Sequence, residues 1–202
     1  MVFDQRLVAL VHGCIGPLFF AYLAGLVVAT SSWWQIVKFV ENGDGKRFAR
    51  AAWTTVGMVY FQLVLGAVLR HIPLSASPTL FRATLVLHLL LAAAVLAHAG
   101  LAAWRVRSLS ARSASLAKPA KLLATLVAAQ LLLGLATYVV KYAFPAWLSD
   151  FALAANFVVQ EKSLTQALTT TAHVANGSLI LFVAVVLAAR SQRLIQRASG
   201  LA

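Results

Sequence analysis

The amino-acid sequence predicts an all-α membrane protein, a polytopic bundle of about five transmembrane helices. Its 202 residues are 61% hydrophobic and only 11% charged, and the mean hydropathy is +0.85, so the chain is far more apolar than a soluble domain. Five uncharged stretches each reach the ~18 to 20 residues that cross a bilayer core. Lys and Arg residues lie at the ends of these stretches. Together these observations place the chain in a membrane.

The five spans belong to one membrane domain, residues 1–202, with no soluble domain between them. The first apolar stretch is too long for the core of a signal peptide, and the residues before it include Asp4 and lack a basic segment, so we expect a permanent helix. The outer segment 144–162, which contains Pro145 and Trp147, is predicted to form a short helix at the membrane interface. The predicted spans are 7–31, 51–70, 80–104, 121–143 and 164–189.

The net charge of +12 indicates membrane topology rather than nucleic-acid binding, because the basic residues divide unequally between the two sides of a five-span protein. The rule that positive loops stay inside then places the N-terminus outside and the C-terminus in the cytoplasm, in a multi-pass protein of the cell (inner) membrane. The cytoplasmic side would hold Lys38, Lys46, Arg47, Arg50, Arg105, Arg107, Arg112, Lys118, Lys121, Arg190, Arg193 and Arg197, and the outer side Arg6, Arg70, Arg82, Lys141 and Lys162.

Two features of composition limit the chemistry. Cys14 is the single cysteine, which excludes an internal disulfide, a cysteine-based zinc site and covalent haem attachment through a C-x-x-C-H motif. All five acidic residues lie in loops or in the N-terminal tail, so no carboxylate within a span can act as a general base or a proton relay.

An internal repeat organises the polar residues of the spans. Span two carries Gln62 and Gly66, span four carries Gln130 and Gly134 at the same spacing, and spans one, three and five each carry a histidine. This alternation predicts duplicated two-helix units, of which the first lacks its opening helix. The glutamines and glycines are typical of close helix packing with interhelical hydrogen bonds, and contact with a cofactor is the alternative.

Three histidines, His12, His88 and His173, lie within uncharged stretches at similar depth in the outer half of the membrane. A polar side chain there must find a partner or it costs free energy on insertion. Small residues share their helix faces at a spacing of four, where they would leave a slot for a flat macrocycle: Gly16, Ala92 and Gly177 after the histidines, and Thr84 and Thr169 before the second and third.

This pattern favours histidine ligation of a non-covalent haem. Two imidazoles from facing helices give the six-coordinate geometry of electron-transfer haems, and His88 and His173 are the preferred pair of iron ligands. The alternative is that each histidine only hydrogen-bonds a neighbouring helix. His98 faces another direction and is interpreted as structural. Arg70, His71 and Lys141, at the outer ends of spans two and four, are candidates to contact haem propionates or are ordinary interfacial anchors.

Four segments resemble haem A synthase, the cytochrome oxidase assembly enzyme: VHGCIGPLFF at 11–20, QLVLGAVLRH at 62–71, LHLLLA at 87–92 and TAHVANG at 171–177. The likeness covers almost the whole chain. That family has eight helices in two similar halves, and this sequence resembles the last five, with 7–31 matching the end of the substrate half and 51–189 the cofactor-haem half.

The resemblance implies a role in haem A biosynthesis for cytochrome oxidase assembly, by oxidation of a methyl group of the substrate haem O to a formyl group. His88 and His173 match the histidines that ligate a haem b cofactor, and His12 matches a ligand of the substrate haem. The sequence lacks the family's first three helices, with a Glu and a His implicated in catalysis, and the extracellular cysteine pairs of many members. We therefore expect a truncated product, an incorrect start, or a split enzyme whose partner chain supplies the missing helices.

Two rival functions stay open. The chain would be a non-enzymatic membrane protein that uses a bis-histidine haem b only for electron transfer, or a haem-free assembly factor whose histidines bind neighbouring helices. Membrane lipid is an expected partner in each case, and nucleic acid is not.

Overall fold

The computed structural model describes residues 2–37, 43–73, 75–108, 114–145, 154 and 157–196. Within these ranges the chain forms helices and no strands, and five helices of 26 to 32 residues are long and apolar enough to cross a membrane. The predicted all-α fold with five spans is therefore confirmed. The helices are α1 (Val2–Thr30), α2 (Ser32–Ile36), α3 (Gly43–His71), α4 (Pro78–Ser108), α5 (Ala114–Tyr142) and α6 (Leu164–Gln196).

Local sequence explains where the helices begin. Ser77 precedes Pro78, and its hydroxyl accepts a hydrogen bond from the Leu80 amide at 3.2 Å, which is an N-cap followed by proline at the first helical position. At the start of α6 the Ser163 hydroxyl accepts from the Gln166 amide at 3.2 Å, while Gln166 Oε1 accepts from the Lys162 amide at 3.0 Å. This exchange is close to a capping box and fixes where α6 starts.

The first apolar stretch is divided between two helices. Ser31 has an extended backbone (φ −71°, ψ 147°), and its side chain accepts from the Trp34 amide at 3.4 Å, so it ends α1 and caps the short α2. At the opposite end of the bundle α5 ends at Tyr142 and is followed by Ala143, whose positive φ of 66° is uncommon for a residue with a Cβ. The Ala143 amide donates to Val139 O at 3.0 Å and closes the last turn.

Four helices form a closed ring: α3 packs against α4, α4 against α5, α5 against α6, and α6 returns to α3. Helix α1 packs outside the ring against α3 and α6. The predicted cytoplasmic half is solidly packed, with fully buried small side chains that allow close helix contact, as is usual in membranes. These are Ala24, Ala99, Ala120 and Ala188, with Leu123 and Leu187 between them.

Most of the predicted interfacial helix at 144–162 lies outside the described residues. At its two ends the Phe144 and Phe157 rings meet edge to face, with centroids 5.3 Å apart and planes at 89°. This contact brings the end of α5 and the approach to α6 together. The assignment of one end of the bundle to the outer side of the membrane stays a prediction.

Candidate cofactor site

The ring of helices encloses a cavity of about 400 Å³, in the half of the bundle where α3 and α5 end and α4 and α6 begin. Its walls come from all four ring helices, and Gly13 and Pro17 of α1 complete the lining between α3 and α6. A cavity of this volume falls in the range of pockets that hold drug-sized ligands and cofactors. The lining is mainly apolar, so its few polar groups decide what it can bind.

His88 of α4 and His173 of α6 both line this cavity. The two helices are not neighbours in the ring, so the imidazoles enter from different sides. Each ring lies against a glycine of the adjacent helix: a Cβ atom at Gly66 of α3 would lie 3.4 Å from His88 Cε1, and one at Gly134 of α5 would lie 3.3 Å from His173 Cε1. The two glycines therefore leave the space in which the imidazoles sit.

The two glutamines of the repeat hold the backbone of the same histidines. Gln62 Nε2 donates to the carbonyl oxygen of His88 at 2.9 Å, and Gln130 Nε2 donates to that of His173 at 3.1 Å. Both glutamine side chains also line the cavity. The repeat therefore corresponds to a repeated structural unit, in which a Gln and a Gly of one helix position a histidine of the next.

Both histidines carry an unsatisfied nitrogen. Nδ1 of His88 and Nδ1 of His173 are buried and have no hydrogen-bond partner among the described residues, and the same is true of Gln62 Oε1. Buried polar atoms are nearly always paired, and an unpaired one costs free energy. A neutral imidazole whose Nδ1 is buried can offer its Nε2 atom to a haem iron.

Positive charge surrounds the end of the cavity. Arg70, His71 and Lys141 all line it. Arg6 lies at the same end of the bundle, where its guanidinium donates a hydrogen bond of 3.4 Å to Ile72 O. Aromatic rings lie beside them: Phe81 and Tyr138 each contact Tyr142, with centroids 5.8 Å and 5.4 Å apart. Carboxylate groups of a ligand would find complementary charge at this end of the cavity.

The remaining predicted residues lie elsewhere. His12 is exposed on the surface of α1 and does not line the cavity, although the neighbouring Gly13 does. His98 lies in the solid half of the bundle, where its Nδ1 is 3.2 Å from Thr55 Oγ1, beside a separate cavity of about 30 Å³. Of the small residues at a spacing of four, Ala92 and Gly177 line the large cavity, whereas Gly16, Thr84 and Thr169 do not.

One residue of the site was missed at the sequence level. Asn176 donates to Gln130 Oε1 at 2.8 Å and to Leu126 O at 3.0 Å, and so connects α6 to α5 beside His173. The signal that could have identified it is that it is a polar residue within a span, three residues after His173.

Among the described residues, no three His, Cys, Asp or Glu side chains group together as a site for a free metal ion would require. No protein-family model, curated protein or solved structure matches the chain.

Proposed function

We propose that this chain is a multi-pass membrane haem protein, in which His88 and His173 bind one haem b non-covalently as axial ligands. The observation that carries the proposal is that both histidines reach the same cavity from different helices, each against a glycine. Haem b bound there would supply a one-electron redox centre.

The other groups of the cavity fit the same ligand. Its apolar walls suit the faces of a macrocycle, and Arg70, His71 and Lys141 suit its propionates. Gln62 and Gln130 hold the histidine backbones, so that the imidazoles keep their positions before the ligand arrives.

For the reaction we propose an oxidoreductase of the haem A synthase type, which acts in haem A biosynthesis. It would oxidise the methyl group of haem O to a formyl group, with the oxygen atom from water and with four electrons and four protons passed to an external electron acceptor. Two observations support this proposal. The sequence resembles that family, and the two histidines that match its haem b ligands, His88 and His173, line one cavity. In this proposal His12 serves a second, substrate site. It is exposed on α1 beside apolar side chains, and an imidazole facing lipid is costly. A partner chain that supplies further helices would cover it.

A second candidate is a haem b protein that only transfers electrons. It is favoured by the two histidines within one cavity, because a haem held by both has no open coordination position for a substrate. The two candidates differ in a direct assay: membranes that contain the chain, its partner and haem O would accumulate haem A only in the first case.

The test of haem binding is the reduced-minus-oxidised absorption spectrum of the detergent-purified chain, with pyridine haemochrome analysis. We expect low-spin bands and haem b in the wild-type protein, loss of both in the His88→Ala and His173→Ala variants, and retention in the His98→Ala control, which changes a histidine outside the cavity. Equal haem content in all three variants would contradict the proposed ligands, and a folded wild-type protein without haem would contradict the function.

A further inference from the structure

The two histidine units of the repeat differ in one respect. Gln130 Nε2 lies 3.3 Å from His173 Nε2 in addition to its bond to the His173 carbonyl. In the other unit, Gln62 Nε2 donates to the His88 carbonyl, and Gln62 Oε1 has no partner within the described residues. The difference traces to Asn176, because Leu91 occupies the corresponding place three residues after His88.

Two backbone carbonyls fix the direction of every hydrogen bond in the unit of His173. A carbonyl oxygen can only accept, so the Asn176 atom near Leu126 O and the Gln130 atom near His173 O must both be amide nitrogens. The second hydrogen of the Asn176 amide then goes to Gln130 Oε1. The second hydrogen of the Gln130 amide is then left for His173 Nε2, which lies 3.3 Å from Gln130 Nε2. All four amide hydrogens are used.

This arrangement determines the tautomer of His173. Because the Gln130 nitrogen can only donate, His173 Nε2 must accept, and the proton of the neutral ring is on Nδ1. The opposite tautomer would set two N–H groups against each other. His173 Nδ1 has no partner among the described residues in either tautomer, so the contact at Nε2 determines which tautomer is favoured.

Gly177 leaves room for this network. A Cβ atom there would lie 3.3 Å from Gln130 Nε2 and 3.0 Å from Leu63 Cδ2. The amide therefore reaches His173 through space that a larger side chain on α6 would occupy.

We infer that Asn176 and Gln130 are positioning residues that hold His173 as the tautomer with an unprotonated Nε2, the form that can ligate iron, before any cofactor binds. The inference rests on the proposed function for its purpose. When Nε2 binds the iron, Gln130 loses one hydrogen bond and keeps those to the His173 carbonyl and to Asn176. No corresponding hydrogen bond among the described residues holds His88 in one tautomer, so the two histidines are inequivalent in the free protein.

The experiment is ¹⁵N NMR of the full chain, labelled with ¹⁵N-histidine and produced without haem, with the His173 signals assigned by their loss in His173→Ala. One-bond ¹⁵N–¹H couplings report which ring nitrogen carries the proton. We expect the wild-type His173 to be protonated at Nδ1 only. Asn176→Leu, which copies the other unit, and Gln130→Met remove a hydrogen bond, so the ratio of the two tautomers should fall about fivefold.

Two matched controls separate this effect from general loosening of the bundle. Ser178→Ala removes a side-chain hydrogen bond of α6 outside the network, and Gln62→Met changes the equivalent glutamine. Both should leave the His173 tautomer unchanged. If Asn176→Leu fails to fold, Gln130→Met carries the test.

A mixture of tautomers in the wild-type chain, or no change in either network variant, would overturn the inference. A parallel titration with haemin separates it from the proposed function. Haem binding with a mixed tautomer contradicts the inference alone, whereas a fixed tautomer in a protein that binds no haem supports the network and contradicts the proposed function.

Discussion

At the scale of single residues, the space around the imidazoles is created by glycines of the neighbouring helices. The sequence pattern pointed to small residues on the histidines' own helices, and two of these, Ala92 and Gly177, line the cavity. The direct ring contacts, however, are with Gly66 and Gly134. Periodicity shows which residues share a face of one helix, but it does not show which face of another helix lies opposite.

A valine at Gly134 should therefore weaken haem binding. Its side chain would occupy the space of the His173 ring, which already lies 3.3 Å from where a Cβ would be. Overpacking of this kind costs about 1–3 kcal/mol, so haem affinity should fall by roughly 5- to 150-fold. Haemin titration of the purified apoprotein measures the change.

Gly100→Val is the matched control, because a Cβ at that position of α4 meets nothing within 4 Å. It should bind haem as the wild-type protein does. Undiminished affinity in the Gly134 variant would show that the imidazole does not need this space.

At the scale of the helices, two arginines of α6 hold α2 in place. The Arg193 guanidinium lies 4.8 Å from the centre of the Trp34 ring, and its Nε donates to Trp34 O at 3.1 Å. Arg190 lies 5.1 Å from the Trp33 ring and donates to Ser115 O at 3.1 Å. These residues lie at the predicted cytoplasmic end, so positive charges that indicate topology in the sequence also connect three helices.

Arg193→Ala should lower the free energy of unfolding by about 1–2 kcal/mol, since it removes one cation–π contact and one hydrogen bond to a carbonyl. Thermal unfolding in detergent, followed by circular dichroism, measures the effect. Arg107→Ala removes an exposed arginine from the last turn of α4 and should leave the unfolding temperature unchanged. Equal effects of the two substitutions would show that the contact with Trp34 contributes nothing.

Helix positions were largely predictable from the sequence, and the exceptions have physical causes. Apolar length identified the five spans, and the pairs Ser77–Pro78 and Ser163–Gln166 are recognisable start signals. The first span was predicted to end at residue 31, and α1 ends at Thr30. The short helix α2 after Ser31 was not predicted, because hydropathy does not register a capping hydroxyl.

At the scale of the whole molecule, the sequence repeat becomes a ring of two similar units, α3 with α4 and α5 with α6. The repeat predicted like histidines in three spans, His12, His88 and His173, of which the ring brings His88 and His173 to one cavity. It did not predict that the ring would close around them, because closure depends on contacts between α6 and α3, which are far apart in sequence. The exposed apolar face of α1 stands outside this symmetry. That face includes Val8, Val11, Ile15 and Phe19.

The fold also makes a prediction about orientation, which can be tested with single cysteines. Ser75, between α3 and α4, and Lys118, near the start of α5, are both exposed and lie at opposite ends of the bundle. The excess of basic residues at the end that contains Lys118 predicts that this end is cytoplasmic. The cavity, which lies in the half of the bundle that contains Ser75, would then lie in the outer half of the membrane.

In a Cys14→Ser background, a membrane-impermeant maleimide applied to intact cells should label Ser75→Cys and not Lys118→Cys. Both variants should react after the membrane is made permeable, which controls for buried thiols. Labelling of Lys118→Cys alone in intact cells would reverse the topology and place the two histidines in the cytoplasmic half. Because Arg70, His71 and Lys141 line the cavity at the end near Ser75, the same experiment decides from which side a carboxylate-bearing ligand meets its cationic partners.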